Sequence, residues 1–568
     1  MRAALASAQS RISFWTPRIW AVVERPSVLC AIPFVYFGLL LVGVVRAYTP
    51  VPTHDMWEGA LLSYFRALQN GFFHETFTFW NEHRIVLSKL LFWLDFQYFG
   101  ARFVFLTAAN VMLLLSIWVA LCALARVLIA ERKAWIAVCA GLSALSLSWL
   151  QRENVDSPFQ SQFLLAYLLP LLAFFAMARA IQEFARIRWF LAALLLGAAS
   201  LGTMANGLLA FPLLFVMQLV HGIATARQSW GRLTGIAACG VLLTALWFQS
   251  YSGTASAPPG GEAFATFAAT FIAFPFADLT GSIAGGVVGA VVYLAGLAFG
   301  LRGLWTSRVQ FDPYVSALMA LIAFVFATAL LTAYGRAGEL DNAALVSRYA
   351  TPSLVAWAAL ALLLAVTLQG RARADRLFAR AGIVAALILL PVQLTRPLGD
   401  DGPALVHGSL RAALAFELDI PDPAATAWVF HVNSSEQYEV LRDIAAQLAA
   451  AGRSIFADPM WAEAVGRLGA DATSGYRACE HAVEDVSFIP GDHRYRAVHG
   501  WAVDLQTLRQ PRFIYFAAEG KIVGLALRGA PRYDVMDIFY VRNGYRGFDG
   551  YVLASNATAF EILCPAPA

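Results

Sequence analysis

Two short acidic segments contain the residues best suited to chemistry, and the first surrounds Asp55. This carboxylate lies nine residues after the first long apolar run, with Glu58 three positions further on. A carboxylate at a membrane boundary can act as a general base that accepts the proton of an incoming hydroxyl group. The same pair also fits a structural role, in which Asp55 caps a helix over residues 56–70 and Glu58 completes a capping box. The sequence leaves both roles open.

The second segment, Asn81-Glu82-His83-Arg84, places an acid, an imidazole and a permanent cation within four residues. Glu82 is a second candidate for the base, or a hydrogen-bond acceptor for a sugar hydroxyl. Arg84 can pair with a phosphate, and His83 adds a titratable group beside both. The alternative interpretation is a polar helix start at the water interface.

Two arginines bracket a later polar segment, residues 335–349. Arg336 and Arg348 lie at the ends of two adjacent apolar runs, on the side that the arginine distribution otherwise avoids. Arginines in such positions need an anionic partner. The partner is either Glu339 or Asp341 in the same segment, or the phosphate of a lipid-linked substrate, whose geometry a guanidinium group matches.

Additional polar groups extend the candidate binding surface. Arg152 and Gln160 are hydrogen-bonding groups of the kind that bind sugar hydroxyls. His54, Asp55 and Glu58 are donors that can hold a divalent cation such as Mg²⁺ or Mn²⁺ with waters, although three mixed ligands do not define such a site. The sequence has no convincing Ser-His-Asp order, nucleotide-binding glycine loop or Cys/His metal cluster. Because nucleotide sugars are absent from the outer side of a membrane, an activated sugar donor there has to be lipid-borne.

The elements that position these residues are mostly membrane spans. Of the 568 residues, 59% are hydrophobic and only 14% are charged, with a net charge of +4, whereas soluble proteins have about 25% charged residues. This composition excludes a purely soluble enzyme, a disordered chain and a nucleic-acid binder. Apolar runs of about 20 residues, long enough to cross a bilayer, recur through the first 400 positions. We predict eleven spans, at 27–46, 102–128, 134–150, 161–179, 190–204, 207–224, 234–250, 284–302, 314–334, 350–368 and 382–396.

Arginine placement predicts the orientation of these spans. Every loop assigned to the inner side is basic, so the N-terminus is predicted to be cytoplasmic and, with eleven spans, the C-terminal tail lies outside. Eight of the nine histidines and most carboxylates of the membrane half fall on the outer side. Acidic residues contribute little to orientation, so their excess indicates chemistry at the outer face.

The first outer segment, residues 47–101, is too long for a simple connector and is rich in aromatic residues. Its hydrophobic spacing predicts two helices, over residues 56–70 and about 84–98. Both are expected to lie at the membrane interface with their apolar faces in the lipid.

A tail follows the first domain, residues 1–398. Residues 399–478 are predicted to form a linker with a helix over 436–451, and residues 479–568 show short alternating strands with a hairpin turn at Glu519-Gly520. The strand pattern predicts a small β-sandwich or jelly roll. The fold class is therefore an α-helical polytopic membrane protein with a soluble α+β or all-β C-terminal domain.

Two of the six cysteines, Cys479 and Cys564, flank the predicted β-domain. If they form a disulfide, the bond joins the two ends of a domain that lies in an oxidising compartment. The alternative is two free buried thiols.

The stretch HDMWEGALLSYFRALQNG, just after the first span, resembles the segment that carries the catalytic acid in the GT-C class of integral membrane glycosyltransferases. The resemblance implies inverting transfer of a sugar from a polyprenyl-phosphate donor to a glycan, lipid or protein acceptor. Asp55 matches the family's catalytic acid, and Glu82 is a second candidate. Arg336 and Arg348 match only the general tendency of the family to place basic groups near the donor phosphate. Many members have two adjacent acids, whereas Met56 follows Asp55 here.

The tail, from Trp501 through Tyr551, resembles a β-domain appended to bacterial surface-polysaccharide glycosyltransferases. This second resemblance implies a bacterial inner-membrane protein whose C-terminal domain is periplasmic. The domain is expected to bind glycan, to position the acceptor, or to act as a structural cover.

Three alternatives remain. An O-antigen-type polymerase or ligase concentrates function in a large late loop, whereas the longest outer loop between spans is the first one here. A lipid-linked-glycan flippase or transporter places ionisable residues within its spans, and the predicted spans are nearly free of them. A non-catalytic scaffold would leave the acid-rich first loop without a role.

Overall fold

The computed structural model describes residue 20 and residues 24–226, 229–253, 258–306, 311–338, 343–369, 374–430, 434–472, 475–504, 511–539 and 544–565. The chain forms two compact units. The span unit comprises Met1–Val44, Thr76–Leu90 and Thr107–Pro397, and the tail unit comprises Val45–Glu75, Leu91–Leu106 and Leu398–Ala568. The first outer segment is therefore divided between the two units. Glu339 and Asp341, the two carboxylates considered as partners of Arg336, lie outside the described residues.

Among the described residues, ten helices are long and apolar enough to cross a membrane, which confirms the predicted fold class and ten of the eleven spans. They are Pro26–Ala47, Val104–Leu128, Arg132–Gln151, Pro158–Gln182, Ala205–Thr225, Trp230–Trp247, Ile283–Trp305, Pro313–Arg336, Ser347–Leu368 and Arg376–Glu417. The last of these includes two consecutive helices, Ala374–Leu398 and Asp401–Glu417.

The remaining predicted span, 190–204, coincides with a shorter apolar helix, Ile187–Ser200. Its 14 residues are about 21 Å long at 1.5 Å per residue, less than the thickness of about 30 Å of a hydrocarbon core. Contacts with the neighbouring helix extend a few residues beyond both of its ends.

That neighbour is the helix Trp230–Trp247, which contacts the segment near both of its ends. Arg232, near the start of the helix, donates a hydrogen bond of 2.6 Å to the carbonyl of Phe184. Trp247, its last residue, donates one of 3.0 Å to the carbonyl of Leu201. Residues 184–201 therefore extend alongside nearly the whole of an 18-residue helix.

Two helices, Gly261–Ile272 and Phe274–Thr280, form a bent pair whose halves meet at 92°. The break frees the carbonyl of Ile272, which accepts hydrogen bonds from Ser353 at 2.6 Å and Trp357 at 3.1 Å. These bonds satisfy a backbone acceptor that the helix itself no longer pairs.

The two ends of the span unit differ in charge. At one end, arginines outnumber carboxylates, and examples are Arg179 and Arg186, which both contact Glu183. At the other end, named the acidic end here, carboxylates and basic side chains are about equal in number. Glu82, Glu153, Asp156 and Asp278 lie there, and three of these carboxylates pair with arginines. Successive loops along the chain thus lie alternately at two ends of the span unit that differ in composition.

The helices of the first outer segment and of the C-terminal region belong to the tail unit, except for residue 76 and residues 86–90, which belong to the span unit. The predicted helices over 56–70, 84–98 and 436–451 are confirmed, although the first begins as a π-helix. The helical elements are Met56–Leu62 (π), Ser63–Asn70, Phe72–Thr76, Val86–Tyr98, Asp401–Glu417, Pro423–Phe430, Ser435–Ala450, Pro459–Gly466 and Tyr533–Phe539.

One antiparallel sheet of seven strands completes the tail unit, in the order β1-β7-β4-β5-β6-β3-β2. The strands are β1 (Tyr476–Ala478), β2 (Glu480–Ile489), β3 (Asp492–Val503), β4 (Phe513–Ala518), β5 (Lys521–Ala530), β6 (Gly547–Leu553) and β7 (Glu561–Pro565). Glu519 and Gly520 form the predicted turn between β4 and β5, both with positive φ.

The sheet is curled, and the prediction of a two-sheet sandwich is corrected by its topology. Strands β1 and β2 lie at opposite edges of the sheet, yet a single residue, Cys479, separates them in the chain. Because Cα atoms two residues apart are at most about 7.6 Å from each other, the two edges must come together. The inner face forms a core around Val498, Phe516 and Phe548, and helix Asp401–Glu417 packs against β5 and β6.

Cys479 and Cys564 form the predicted disulfide, with a Cα–Cα distance of 5.8 Å. The bond joins the point where the two edges meet to β7, and both cysteines belong to the buried core of the curled sheet. The predicted disulfide between the ends of the domain is thus confirmed.

Candidate functional site

Asp55 directly precedes the seven-residue π-helix Met56–Leu62. The predicted capping role is wrong, since the Asp55 side chain makes no capping hydrogen bond and its φ and ψ of −59° and −12° are helical. A capping residue instead adopts an extended conformation, which directs its side chain to the free N–H groups of the first turn. Glu58 is exposed and adds no reciprocal bond. π-helices are rare and occur frequently at functional sites.

The backbone next to Asp55 is held firmly although its side chain is not. Trp57 is buried and its ring packs on Phe416 and Phe430 at 5.9 and 5.2 Å, while the N–H of His54 donates to the carbonyl of Val429 at 2.9 Å. The half-buried Asp55 carboxylate makes no hydrogen bond or ion pair with the residues that the structure describes. A positioned carboxylate without a partner is available as a base.

Residues 80–83 form a tight turn, so the alternative interpretation of a polar helix start is wrong. The helix begins at Val86. Trp80 and His83 exchange two backbone hydrogen bonds of 2.8 and 2.9 Å. Asn81 has a φ of 49°, a left-handed conformation that asparagine adopts more readily than most residues. Glu82 therefore lies at the tip of the turn.

Glu82, His83 and Arg336 form the Glu82 cluster. Arg336 Nη2 lies 2.5 Å from Glu82 Oε1, and both side chains are half-buried. Burial alone would raise the pKa of Glu82, but the charges of His83 and Arg336 outweigh it and hold the pKa below its usual range. Burial lowers the pKa of His83, whose Nδ1 accepts a bond of 3.3 Å from the N–H of Ala205. A carboxylate with a lowered pKa is a weak base.

Arg84 acts as a backbone anchor. It donates to the carbonyl of Trp247 at 2.8 Å and to the carbonyls of Phe77 and Gln249. The guanidinium also lies 4.1 Å from the ring centre of Phe79. The three hydrogen bonds engage the guanidinium group within the protein. They connect the turn to the end of the span Trp230–Trp247.

A second group at the acidic end, the Glu153 cluster, consists of Arg152, Glu153, Asp156, Gln160 and Arg348. Glu153 lies 3.6 Å from the guanidinium of Arg348 and also accepts the backbone N–H of Arg348 at 3.2 Å. The buried Gln160 donates to Glu153 at 3.4 Å, and Arg152 is exposed. Arg348 is thus held more loosely than Arg336.

Asp156 belongs to this cluster but was not among the predicted site residues. Burial raises the pKa of Asp156 to about 7. The positive charge of Arg152 opposes this increase, and the negative charge of Glu153 adds to it. Its spacing, four residues after Arg152, places both on one face of a helical turn and is the sequence signal that was available. A carboxyl group that titrates near neutral pH can donate or accept a proton.

The two clusters lie close together at the acidic end. The ring of Trp80, in the turn, is 6.1 Å from that of Phe159, and Ser88 bonds Ser161 at 2.7 Å. Asp55 and Glu58 belong to the tail unit, whereas the other predicted site residues belong to the span unit.

Metal binding finds no support in the described part of the chain. No group of three or more His, Cys, Asp or Glu side chains there is arranged to hold a metal ion. The set His54, Asp55 and Glu58 therefore does not form the cation site that its composition suggested.

No protein-family model matches the sequence, and no curated protein matches it.

Proposed function

We propose that this protein is a membrane glycosyltransferase that moves a sugar from a polyprenyl-phosphate donor to a glycan, lipid or protein acceptor. The observation that carries the proposal is Asp55, a half-buried carboxylate without a partner among the described residues, which follows the first span and precedes a π-helix. The composition of the acidic end supports it, because carboxylates, an amide and arginines are suited to sugar hydroxyls and phosphate.

Asp55 is the general base in this mechanism. The acceptor oxygen forms a bond to the anomeric carbon, the bond from that carbon to the phosphate oxygen breaks, and the acceptor proton goes to Asp55. The transfer inverts the anomeric configuration because one displacement takes place. Glu82 is the weaker candidate, since its ion pair with Arg336 stabilises the charged form and lowers its pKa.

The arginines of the acidic end differ in their capacity to stabilise the phosphate that leaves. Arg348 lies 3.6 Å from its carboxylate partner, compared with 2.5 Å for Arg336, so less interaction has to be given up for a phosphate to approach Arg348. Arg84 is already engaged by three backbone carbonyls. Arg348 is therefore the first choice for the phosphate, with Arg336 second.

The proposed location is a bacterial inner membrane, with the N-terminus cytoplasmic and the tail periplasmic. The arginine-rich end of the span unit would face the cytoplasm under the positive-inside rule. The Cys479–Cys564 disulfide suits an oxidising compartment such as the periplasm.

A transfer assay in nanodiscs tests the proposal, with polyprenyl-phosphate donors that carry a panel of sugars. Asp55→Asn should lower turnover roughly 10²–10⁴-fold, the usual contribution of a general base, with the protein still folded. Glu262→Gln, which changes an exposed carboxylate outside the candidate site, is the control and should retain wild-type turnover. If Glu82→Gln alone abolishes turnover, the base is Glu82. If neither substitution alters a measured turnover, the mechanism is wrong.

A further inference from the structure

The inner face of the curled sheet changes from apolar to basic towards one of its ends. Its core contains Ile514 on β4, Ala526 on β5 and Phe548 on β6. Because side chains alternate between the two faces of a strand, residues two positions further along belong to the same face. Towards this end, those positions are arginines on all three strands, and they are Arg512, Arg528 and Arg546.

Backbone pairing places the three arginines next to one another. The N–H of Arg528 donates to the carbonyl of Arg512 at 3.2 Å, so these two residues lie opposite each other across β4 and β5. Arg528 also pairs with Phe548, two residues after Arg546. The carbonyl of Arg546 accepts the N–H of Ala502, a core residue of β3, at 3.3 Å. We name these three residues the arginine rim.

The charges of the arginine rim act on one another. Burial and the charge of Arg512 lower the pKa of Arg528, and burial and the charge of Arg528 lower the pKa of Arg546. A carboxylate close to either guanidinium would raise its pKa instead. Like charges that lie opposite each other destabilise a sheet. Folded proteins accept such local conflicts chiefly at functional sites.

The rim is positively charged and accessible. Asp504, two residues after Ala502, forms an ion pair with Arg477 on β1, and this pair is neutral as a whole. The three arginines of the rim then carry three positive charges. Arg528 is exposed and Arg512 is half-buried, whereas Arg546 is only 7% exposed. The rim therefore extends from the solvent to a side chain that is more than nine-tenths buried.

We propose that the arginine rim binds a phosphate group, carried by a glycan or by a lipid-linked glycan. A guanidinium fork matches two oxygens of a phosphate. A phosphate monoester has a charge of about −1.5 to −2 near pH 7 and three acceptor oxygens, so it offsets more of the rim's charge than a single carboxylate does. Ligand sites are common at the mouths of barrels, and the rim occupies the corresponding end of the curled sheet.

This site is separate from the proposed transfer chemistry. All three arginines belong to the tail unit, and the proposal uses neither Asp55 nor the arginines of the acidic end. Failure of the transfer assay would therefore leave the phosphate site standing, and loss of the phosphate site would leave the general base unaffected.

Calorimetric titration of the full-length protein with inorganic pyrophosphate, in nanodiscs of zwitterionic lipid, tests the site. Wild type should bind the probe saturably. Arg528→Gln, which changes an exposed side chain, should raise the Kd about tenfold or more, the usual effect of losing a hydrogen bond to a charged group. Arg546→Gln should have a similar effect. Arg66→Gln, which removes one positive charge at an exposed position of the tail unit, is the matched control and should leave the Kd unchanged.

Competition experiments identify the source of the phosphate. Displacement of pyrophosphate by a soluble hexose 1-phosphate would indicate a phosphorylated glycan, whereas displacement by polyprenyl phosphate in the nanodisc would indicate a lipid-linked one. If neither competes, the rim binds free phosphate only and the glycan assignment is wrong.

Three further results would overturn the site. They are the absence of saturable pyrophosphate binding in the wild type, a Kd that is the same in Arg528→Gln as in the wild type, and tighter binding of glucuronate than of pyrophosphate. The last result would assign the rim to a carboxylate. If Arg546→Gln does not fold, the comparison of Arg528→Gln with Arg66→Gln decides alone.

Discussion

Glu82 and Arg336, separated by 254 residues in the chain, form an ion pair with an Nη2–Oε1 distance of 2.5 Å. The pair connects the turn of the first outer segment to the C-terminal end of the span Pro313–Arg336. It engages the carboxylate of Glu82 and the guanidinium of Arg336 with each other. Glu82 is less basic because of the pair, and Arg336 is already partly neutralised.

The Glu82–Arg336 pair should contribute measurably to stability. Both side chains are half-buried, so solvent screens the pair only in part and a coupling free energy of about 0.5–1 kcal/mol is expected. A double-mutant cycle with Glu82→Gln and Arg336→Gln measures it from thermal unfolding in detergent. The exposed pair Glu463–Arg467 provides the comparison and should give a coupling near zero. Equal coupling for the two pairs would contradict the prediction.

Arg84→Lys should destabilise the span unit without weakening donor binding. Lysine cannot reach three carbonyls in the planar arrangement that arginine uses. The loss of charged hydrogen bonds should cost about 1.5–3 kcal/mol, which appears as a lower Tm, while the KM for the donor remains the same. Arg66→Lys, at an exposed arginine, is the control. An increase in KM at unchanged Tm would instead assign Arg84 to the phosphate.

Much of the fold could be predicted because its signals are local. A span is recognised from the length and hydropathy of one continuous segment, as for Val104–Leu128. The hairpin of β4 and β5 follows from Glu519-Gly520 and the flanking alternation. Strand β2 gives a weaker signal, because most of its residues are exposed and the usual alternation of buried and exposed positions is absent.

The candidate site was harder to predict because its geometry depends on distant segments. Asp55 has the residue type and position of a cap, and only the backbone conformation excludes that role. The partner of Arg336 comes from the first outer segment, so inspection of nearby residues could not identify it. The pKa of Asp156 is raised because surrounding elements bury it. The local sequence does not reveal this burial, and the spacing from Arg152 is its only signal.

Removal of the disulfide should weaken the tail unit in particular. The bond closes a loop of 85 residues, and loss of such a bond typically costs about 2–5 kcal/mol. Cys479→Ala combined with Cys564→Ala should therefore lower the Tm of the tail and increase hydrogen exchange in β1, β2 and β7. Cys239→Ala, which removes a thiol from a span, should leave both measurements unchanged. Unaltered exchange in the double variant would show that the curled sheet does not depend on the bond.

Asp156→Asn should stabilise the protein increasingly as the pH rises towards 7. The folded protein holds the Asp156 pKa at about 7, whereas an exposed aspartate has a pKa of about 3.9. Between these values the unfolded chain gives up the proton and the folded protein retains it, so the stability contribution of Asp156 is lost with rising pH. An amide has no charge to desolvate and avoids this loss.

The Tm difference between Asp156→Asn and wild type should therefore be small near pH 4.5, increase up to pH 7 and stay constant above it. Glu262→Gln, at an exposed carboxylate, should show no such trend. A difference that is independent of pH would mean that Asp156 is ionised throughout, held by Arg152. In that case its role would be that of a fixed negative charge in the Glu153 cluster and not that of a proton donor or acceptor near neutral pH.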